Sequence, residues 1–517
     1  MLVMKTSTYL ISAVLFAAFA VYAEDPAVDS VAFAPIYGGS AYKVTYRLAG
    51  DSAIVTADFQ TKTLSDASGE WVSVGGKAQR RVGGDVNRWV EKPSDDDTRL
   101  TLYWFPEDDW AGKTMPASQV RCVVSAWTTN DPPDVMVLDL RETGRRTYYP
   151  SLDHLPDGIE AKKYKGRYYP MRRIHAKNVT WVMGACKGDG DWGKADNTGT
   201  ENTEHRAHKV RLTCDYYIGV YQFTAQHYEY AITRTCFAPR SANRLPKSSW
   251  YTAFKRLRGS TLGLAWPVYT DGAFDYDASH KVDPDSRVDI IREVTGLDGL
   301  DLPTEAQWEF ACRAGVRGAL YSGEKYTKEN LRKLGRCTGN QNTPDCEGLV
   351  NNVATVGSYE PNPWGLYDML GNYFEYTLDR YQTMANMTQT DVYIDPVGPE
   401  GGDKRVVRGG WFNYEMYYMS SATRGTQPVE ADSAAYCLRL ALDIGRPAGP
   451  SVAKGDASQG ELAWIDVADQ IQPAVPAFKD EILDAEDGFV TPGLGFFPSA
   501  AQVFSTFPLR GVKLIFR

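Results

Sequence analysis

Eight cysteines, Cys122, Cys186, Cys214, Cys236, Cys312, Cys337, Cys346 and Cys437, have the widest chemistry in this 517-residue chain. Paired thiolates can hold a soft metal, exchange disulfides or cross-link an exported fold. No two of the eight stand as Cys-x-x-Cys, which argues against a zinc ribbon and against a thioredoxin-like redox pair. An even number permits disulfides, and eight cysteines allow roughly a hundred connectivities, so the sequence does not choose among them. Cys337 and Cys346 flank a polar Gly/Asn/Pro loop and are the first pair to test. His205 and His208 invite a metal reading, but with six histidines in all and no His-Glu-x-x-His or facial-triad partner they read as surface residues. Asp189-Gly190-Asp191 opens like an EF-hand loop, lacks the third acidic position before its glycine, and reads as a solvated turn. The aromatic run Trp411, Phe412, Tyr414, Tyr417 and Tyr418 could stack on a glycan or a peptide; core packing is the competing reading.

The elements that must position these residues follow from length and pattern. At about 150 residues per domain the length is a prior for about three units. Charged residues make up 23% and hydrophobic residues 43%, which excludes wholesale disorder. Lys and Arg number 56 against 65 Asp and Glu, a net charge of −9. With no basic run to neutralise a row of phosphates, nucleic acid is not expected as a partner. After Lys5 an apolar stretch from Thr8 ends in Val21-Tyr22-Ala23 and turns acidic at Glu24, which predicts a cleaved secretory signal over 1–23. A spanning helix is the alternative, although the run falls just short of the ~20 residues a bilayer needs. No later segment has the length or apolarity to span a membrane, so the mature chain is expected to be soluble and extracytoplasmic, secreted or periplasmic.

Residues 24–146 alternate in short apolar and polar runs. Tyr42–Leu48, Ala53–Phe59, Leu100–Trp104 and Val120–Trp127 predict strands of an all-β accessory sandwich of immunoglobulin-like kind. Residues 147–178 read as a Tyr-, Pro- and Lys-containing connector. Residues 179–444 carry short helix signals between long loops. One helix is predicted from Ser249-Trp250 to Gly259, with Trp250, Ala253, Phe254 and Leu257 on one face. In a second, Thr304 and Gln307 make a capping box, Trp308, Ala311 and Cys312 form the buried stripe, and Gly315 is the left-handed C-cap. Residues 445–517 form a Pro/Ala/Gly-rich tail to which no role is assigned.

Three ordered segments carry a family likeness: Leu302-Pro303-Thr304-Glu305-Ala306-Gln307-Trp308-Glu309, then Asn362-Pro363-Trp364-Gly365-Leu366-Tyr367-Asp368-Met369-Leu370-Gly371-Asn372-Tyr373-Phe374-Glu375-Tyr376, then Val407-Arg408-Gly409-Gly410-Trp411. Weaker echoes are Met183-Gly184, Tyr217–Thr224, Leu245–Trp250 and Leu438-Arg439-Leu440. Over Val179–Ile444, roughly half the chain, the sequence resembles the formylglycine-generating enzyme (sulfatase-modifying factor) family. The resemblance implies an α+β fold: a C-type-lectin-related domain with short helices and long loops, here preceded by the β-sandwich.

The family's enzymes oxidise a sulfatase cysteine to formylglycine with O2, using Cu(I) held by two cysteines downstream of Arg-Gly-Gly-Ser. By that likeness the serine position is Trp411 and the cysteine positions are Tyr414 and Met419. Cu(I) is soft and wants thiolates, whereas Tyr offers a hard phenol of pKa ~10 and Met a neutral thioether, so copper is not expected. The resemblance also implies a structural Ca2+ near the second segment, with the side chains of Asp368 and Glu375 and the carbonyls of Gly371 and Tyr373 as ligands. The competing reading has Asp368 and Glu375 capping backbone N–H groups of the turn. A second family Ca2+ site has no counterpart segment before Val356. The expectation is an exported, non-catalytic binding or scaffolding protein, with Trp411, Tyr414 and Tyr417 contacting a protein or glycan ligand or a sulfatase-like polypeptide. The alternative is a formylglycine-generating oxidoreductase.

Overall fold

The computed structural model describes residues 25–62, 70–106, 119–185, 207–233, 254–316, 318–337, 353–384, 387, 391–414, 419–431 and 435–446. The expected signal segment and the chain beyond Arg446 lie outside these residues. Among the described residues no helix is long and apolar enough to cross a membrane.

The four N-terminal strands expected from alternation are present as Ala41–Ala49, Ala53–Lys62, Leu100–Trp104 and Val120–Trp127. One antiparallel sheet runs in the order Ala27–Ile36, Ala41–Ala49, Leu100–Trp104, Val82–Gly84. The other is built around Ala53–Lys62, which pairs with Val120–Trp127, Trp71–Ser73 and Arg88–Val90. Period two turns Val44, Tyr46, Val55, Phe59, Leu102 and Trp104 into a shared core. Trp104 stacks on Tyr42 and meets Phe59 at a tilt, and its indole N–H is satisfied by the Ala78 carbonyl at 2.8 Å.

The next sheet crosses the domain boundary expected at residue 146. Its order is Arg146–Tyr149, Val135–Asp139, Tyr168–Ile174, Asp215–Gly219, Ala441–Ile444, antiparallel throughout. Residues 135–149 therefore belong with the C-terminal domain, and the expected connector contains that sheet's central strand. The misreading has a physical source. Val135–Asp139 is buried at all five positions and so lacks alternation, and Pro170 interrupts a strand that pairs on both sides. A further four-stranded sheet, ordered Gly425–Pro428, Lys404–Arg408, Phe374–Arg380, Tyr436–Cys437, faces the helix Glu305–Arg313.

That helix forms as its sequence requires. Thr304 Oγ1 accepts from Gln307 N at 3.2 Å, and Gln307 Oε1 accepts from Thr304 N at 2.9 Å, closing the capping box. Trp308, Ala311 and Cys312 are buried as expected, but so are the other six residues, because sheet or loop covers every face. The left-handed exit begins one residue earlier than expected, at Ala314 (φ 47°), and continues through Gly315 (φ 84°). Of the helix expected near Trp250, Phe254–Leu257 is helical, and the residues before Phe254 lie outside the described ones.

Polar groups join the sandwich to the C-terminal domain. Asp58 accepts from Ser73 Oγ at 2.6 Å and meets His154 Nε2 at 3.1 Å, while Ser151 Oγ holds His154 Nδ1 at 2.8 Å. Ile54 of the sandwich packs into the core cluster of the larger domain. In the five-stranded sheet, His175 ties two strand ends together: Nε2 meets Asp134 Oδ1 at 2.8 Å and Nδ1 meets Asp215 Oδ2 at 3.5 Å. Burial lowers the His175 pKa, but the two carboxylates outweigh it and hold it at about 9. A folded-state pKa above the unfolded value of about 6.5 stabilises fully below that pH and ceases to do so as pH rises through about 9. The melting-temperature gap between wild type and His175→Gln is thus expected to be widest in mild acid and to close in alkali, as thermal unfolding across that range will show.

Candidate functional site

The second family-like segment wraps the end of the helix Glu305–Arg313. Asn362 Nδ2 donates to the carbonyls of Ala311 and Cys312 at 2.7 and 3.1 Å, and its Oδ1 accepts from Trp364 N and Leu366 N at 3.0 Å each. One amide thus closes the helix and shapes the turn after it. The chain then takes left-handed conformations at Asp368, Gly371 and Asn372. At Gly371 (φ 82°) no larger residue fits, since a Cβ would stand 2.3 Å from the Arg336 carbonyl oxygen and from Met419 Cε.

This turn delivers Glu375 to the protein centre, where it is fully buried. Its Oε2 accepts from Trp308 Nε1 at 2.7 Å and Arg439 Nε at 2.8 Å, and its Oε1 accepts from Arg439 Nη2 at 2.7 Å and Gln222 Nε2 at 3.0 Å. Arg439 also donates to the carbonyls of Gly219, Val220 and Tyr367 at 2.8, 3.0 and 2.8 Å. Burial opposes the Arg439 charge, and Glu375 outweighs that opposition and raises its pKa.

The four residues expected to hold Ca2+ are brought together, with two differences from expectation. The Asp368 carboxylate turns away: Oδ2 accepts from Gly357 N at 2.7 Å, the backbone-capping arrangement. Its Oδ1 is buried with no hydrogen-bond partner among the described residues, and burial pushes the carboxyl pKa up to about 6. The oxygens that do converge are the Asp368, Gly371 and Tyr373 carbonyls with Glu375 Oε1, and at their focus stands Gln222 Nε2, 3.3, 3.5, 2.9 and 3.0 Å away. A calcium ion needs oxygens at about 2.3–2.6 Å with their lone pairs free. Here the four oxygens converge on Gln222 Nε2, and with that nitrogen inward the donor set does not fit the ion.

The segment expected to replace the copper ligands is equally specific. Gly371 N donates to the Gly409 carbonyl at 2.7 Å, and Phe412 N to the Asn372 carbonyl at 3.0 Å, so the Gly-Gly turn leans on the turn just described. Trp411 meets Phe412 and Tyr414 edge-on at centroid distances of 5.1 and 5.3 Å, and Tyr414 meets Phe374 at 5.4 Å. Trp411 is half-buried and Tyr414 is 38% exposed. Met419 is sealed against Gly371 and Gly335. Tyr417 lies outside the described residues. Cys437 is fully buried beside Val353 and Tyr373, and burial, reinforced by the Glu375 charge, pushes its thiol pKa well above the usual value. Cys337 is buried, and its expected partner Cys346 lies outside the described residues.

A second buried network was not anticipated from sequence. Glu309 accepts from Gly184 N and Arg313 Nε, both at 2.8 Å, and pairs with Arg408. Glu305 pairs with Arg424 at 2.6 Å and Arg408 at 3.0 Å. Burial raises the Glu309 carboxyl, and Arg313 and Arg408 outweigh it to hold the pKa at about 2. The available signal was the i,i+4 pair Glu309/Arg313 on a helix with no polar face. Gln222 and Arg439 stood inside the weaker echoes, with nothing local to mark their roles.

Residues 187–444 match the family described as "Sulfatase-modifying factor enzyme 1-like domain". The chain belongs to this family. Among its sulfatase-modifying-factor relatives, the formylglycine-generating enzyme of Thermomonospora curvata is 36% identical over 151 residues, 28% of this chain and 50% of that one. The inactive C-alpha-formylglycine-generating enzyme 2 of Mus musculus is 32% identical over 155 residues, 29% of this chain and 45% of that one. The match thus spans about half the length of these relatives. Among solved structures, Treponema denticola variable protein 1 aligns with 53% of this chain and 95% of its own, at 21% identity and a TM-score of 0.37.

Removing one partner of a fully buried, hydrogen-bonded ion pair costs about 3–5 kcal/mol. Arg439→Met, which strands Glu375 and three carbonyls, is expected to lose at least that much in urea unfolding, while exposed Tyr37→Ala stays near wild type.

Proposed function

We propose that this protein is an exported, non-catalytic member of the sulfatase-modifying factor family that binds or positions a partner outside the cytoplasm. The observation that carries the reading is the chemistry at the two positions matching the family's copper cysteines. Tyr414 offers a phenol engaged with Phe374 and Trp411, and Met419 offers a thioether sealed against Gly371. Neither supplies a thiolate, the anionic soft donor that Cu(I) chemistry requires. Cys437 cannot stand in, because burial disfavours its thiolate. That the family includes a relative named inactive supports the same direction.

In this reading the partly exposed edge of the aromatic cluster, Trp411 and Tyr414, contacts a protein or glycan ligand, and the N-terminal sandwich, of immunoglobulin-like kind, holds the larger domain in place. Export rests on the apolar run ending at Ala23. The second reading, formylglycine generation on a sulfatase cysteine, is favoured by relatives that bear the enzyme's name.

Aerobic incubation of the purified protein and Cu(I) with a Cys-x-Pro-x-Arg peptide separates the two. No aldehyde is expected by mass spectrometry, and no tight copper binding in competition with a Cu(I) chelator. Copper-dependent aldehyde formation by the unmodified protein would establish the second reading instead.

A further inference from the structure

The turn at Asp368–Glu375 gathers four oxygens that, by family likeness, should surround a calcium ion, and the side chain actually facing them is that of Gln222. We propose that the Gln222 amide nitrogen replaces the cation, so that this domain folds around a hydrogen-bond donor where a metal is expected and needs no Ca2+.

Three observations carry this. First, Nε2 has two N–H groups and four oxygens within reach. The contacts to Tyr373 O and Glu375 Oε1, at 2.9 and 3.0 Å, are ordinary hydrogen bonds, and those to Asp368 O and Gly371 O, at 3.3 and 3.5 Å, are the long arms of shared ones. Carbonyls crowded on one point repel each other, and an amide NH2 supplies the partial positive charge that offsets this. Second, the charge that would attract a dication is already used. Glu375 is the one formal charge among the four oxygens, and Arg439 neutralises it through both carboxylate oxygens. Asp368, the other candidate, directs its carboxylate at Gly357 N. Third, Gln222 is held in place: it is fully buried and follows Gly219, whose N–H donates to the Leu440 carbonyl at 2.9 Å. With Nε2 inward, an ion at the focus would meet an amide donor.

The opposite orientation of the amide gives opposite chemistry. With Oε1 inward, five oxygens would meet with no donor among them, and a cation would be obligatory. The orientation of a Gln amide is assigned from its hydrogen-bond network, so the metal requirement itself is the decisive measurement. The orientation described leaves Oε1 buried without a partner among the described residues, a defect of about 1–3 kcal/mol that the four N–H contacts must outweigh.

The test uses the full chain purified without chelator. Elemental analysis is expected to find no stoichiometric calcium, and the melting temperature is expected to be the same in EDTA and in millimolar CaCl2. Gln222→Glu puts a carboxylate against three carbonyls and Glu375; it is expected to melt several degrees below wild type in EDTA and to recover with CaCl2. Stoichiometric calcium in the wild type, with a melting temperature that falls in EDTA, would overturn the proposal. So would a Gln222→Glu protein as stable as wild type and indifferent to calcium. If that variant fails to fold, the wild-type measurements alone decide. The outcome is independent of whether the protein forms formylglycine.

Discussion

Glu375 and Arg439 form an ion pair with no access to water, and most of the C-terminal domain meets at it. Glu375 is the second residue of the strand Phe374–Arg380, and Arg439 precedes the strand Ala441–Ile444. Trp308 reaches the pair from the central helix, Gln222 from the end of Asp215–Gly219, and Tyr367 from the loop that turns toward Glu375. Four segments far apart in sequence thus share one group of donors and acceptors. Desolvating two charges is expensive, and an apolar replacement of equal shape is often no less stable, so the pair is poor evidence for stability. Its value is specificity: a misplaced segment would leave a buried charge or carbonyl unmet, and a loop-rich domain has few long elements to enforce register otherwise.

The second network repeats the device beside the first, with the Arg408 guanidinium 5.6 Å from the Trp308 ring centre. Glu305 and Glu309 lie one turn apart, and between them they engage Arg313, Arg408 and Arg424. Arg408 ends the strand Lys404–Arg408 just before Gly409 and Gly410, so the ion pairs that clamp the helix also fix where the Gly-Gly turn begins. Asp379 lies beside them, accepting from Glu305 N at 2.6 Å, and burial with the Glu305 charge raises its pKa. The helix has no solvent face, which is why its sequence mixes Glu, Gln, Arg and Trp without amphipathic order.

What was legible in the sequence divides along this line. The capping box at Thr304/Gln307, the sandwich strands and the family segments are short-range patterns, and each is present as read. Long-range pairing was not legible. Glu375 could be marked as a metal ligand or a cap, but its partner Arg439 is 64 residues away, and Gln222 is 153 away. Neither partner carries a local signature. The boundary at residue 146 failed for a related reason: a fully buried strand and a strand interrupted by Pro170 have no period-two signal, and only pairing with Asp215–Gly219 and with each other reveals them. Asp368 reads from sequence as a calcium ligand or as a cap within its own turn; its Oδ2 instead accepts from Gly357 N, eleven residues earlier, another partner with no local signature.

The same division bears on how such a domain can change its chemistry and keep its fold. The groups that hold the frame, Glu305, Glu309, Glu375, Arg408 and Arg439, lie on strands or the helix, or adjoin a strand, and each answers to several partners. After Gly410 the chain makes an excursion through Trp411–Tyr414, and it is back in the frame by Ser421 and Thr423, whose carbonyls accept from Arg408 at 3.2 and 3.0 Å, and by Arg424, which pairs with Glu305. Within that excursion Trp411, Phe412 and Tyr414 contact mainly one another and the aromatic rings below them, without engaging either ion network. Exchanging side chains there alters apolar packing worth a few kcal/mol at most and leaves every buried charge paired. The constraint that specifies the fold passes through Glu375 and Arg439, and Trp411, Phe412 and Tyr414 stand outside it.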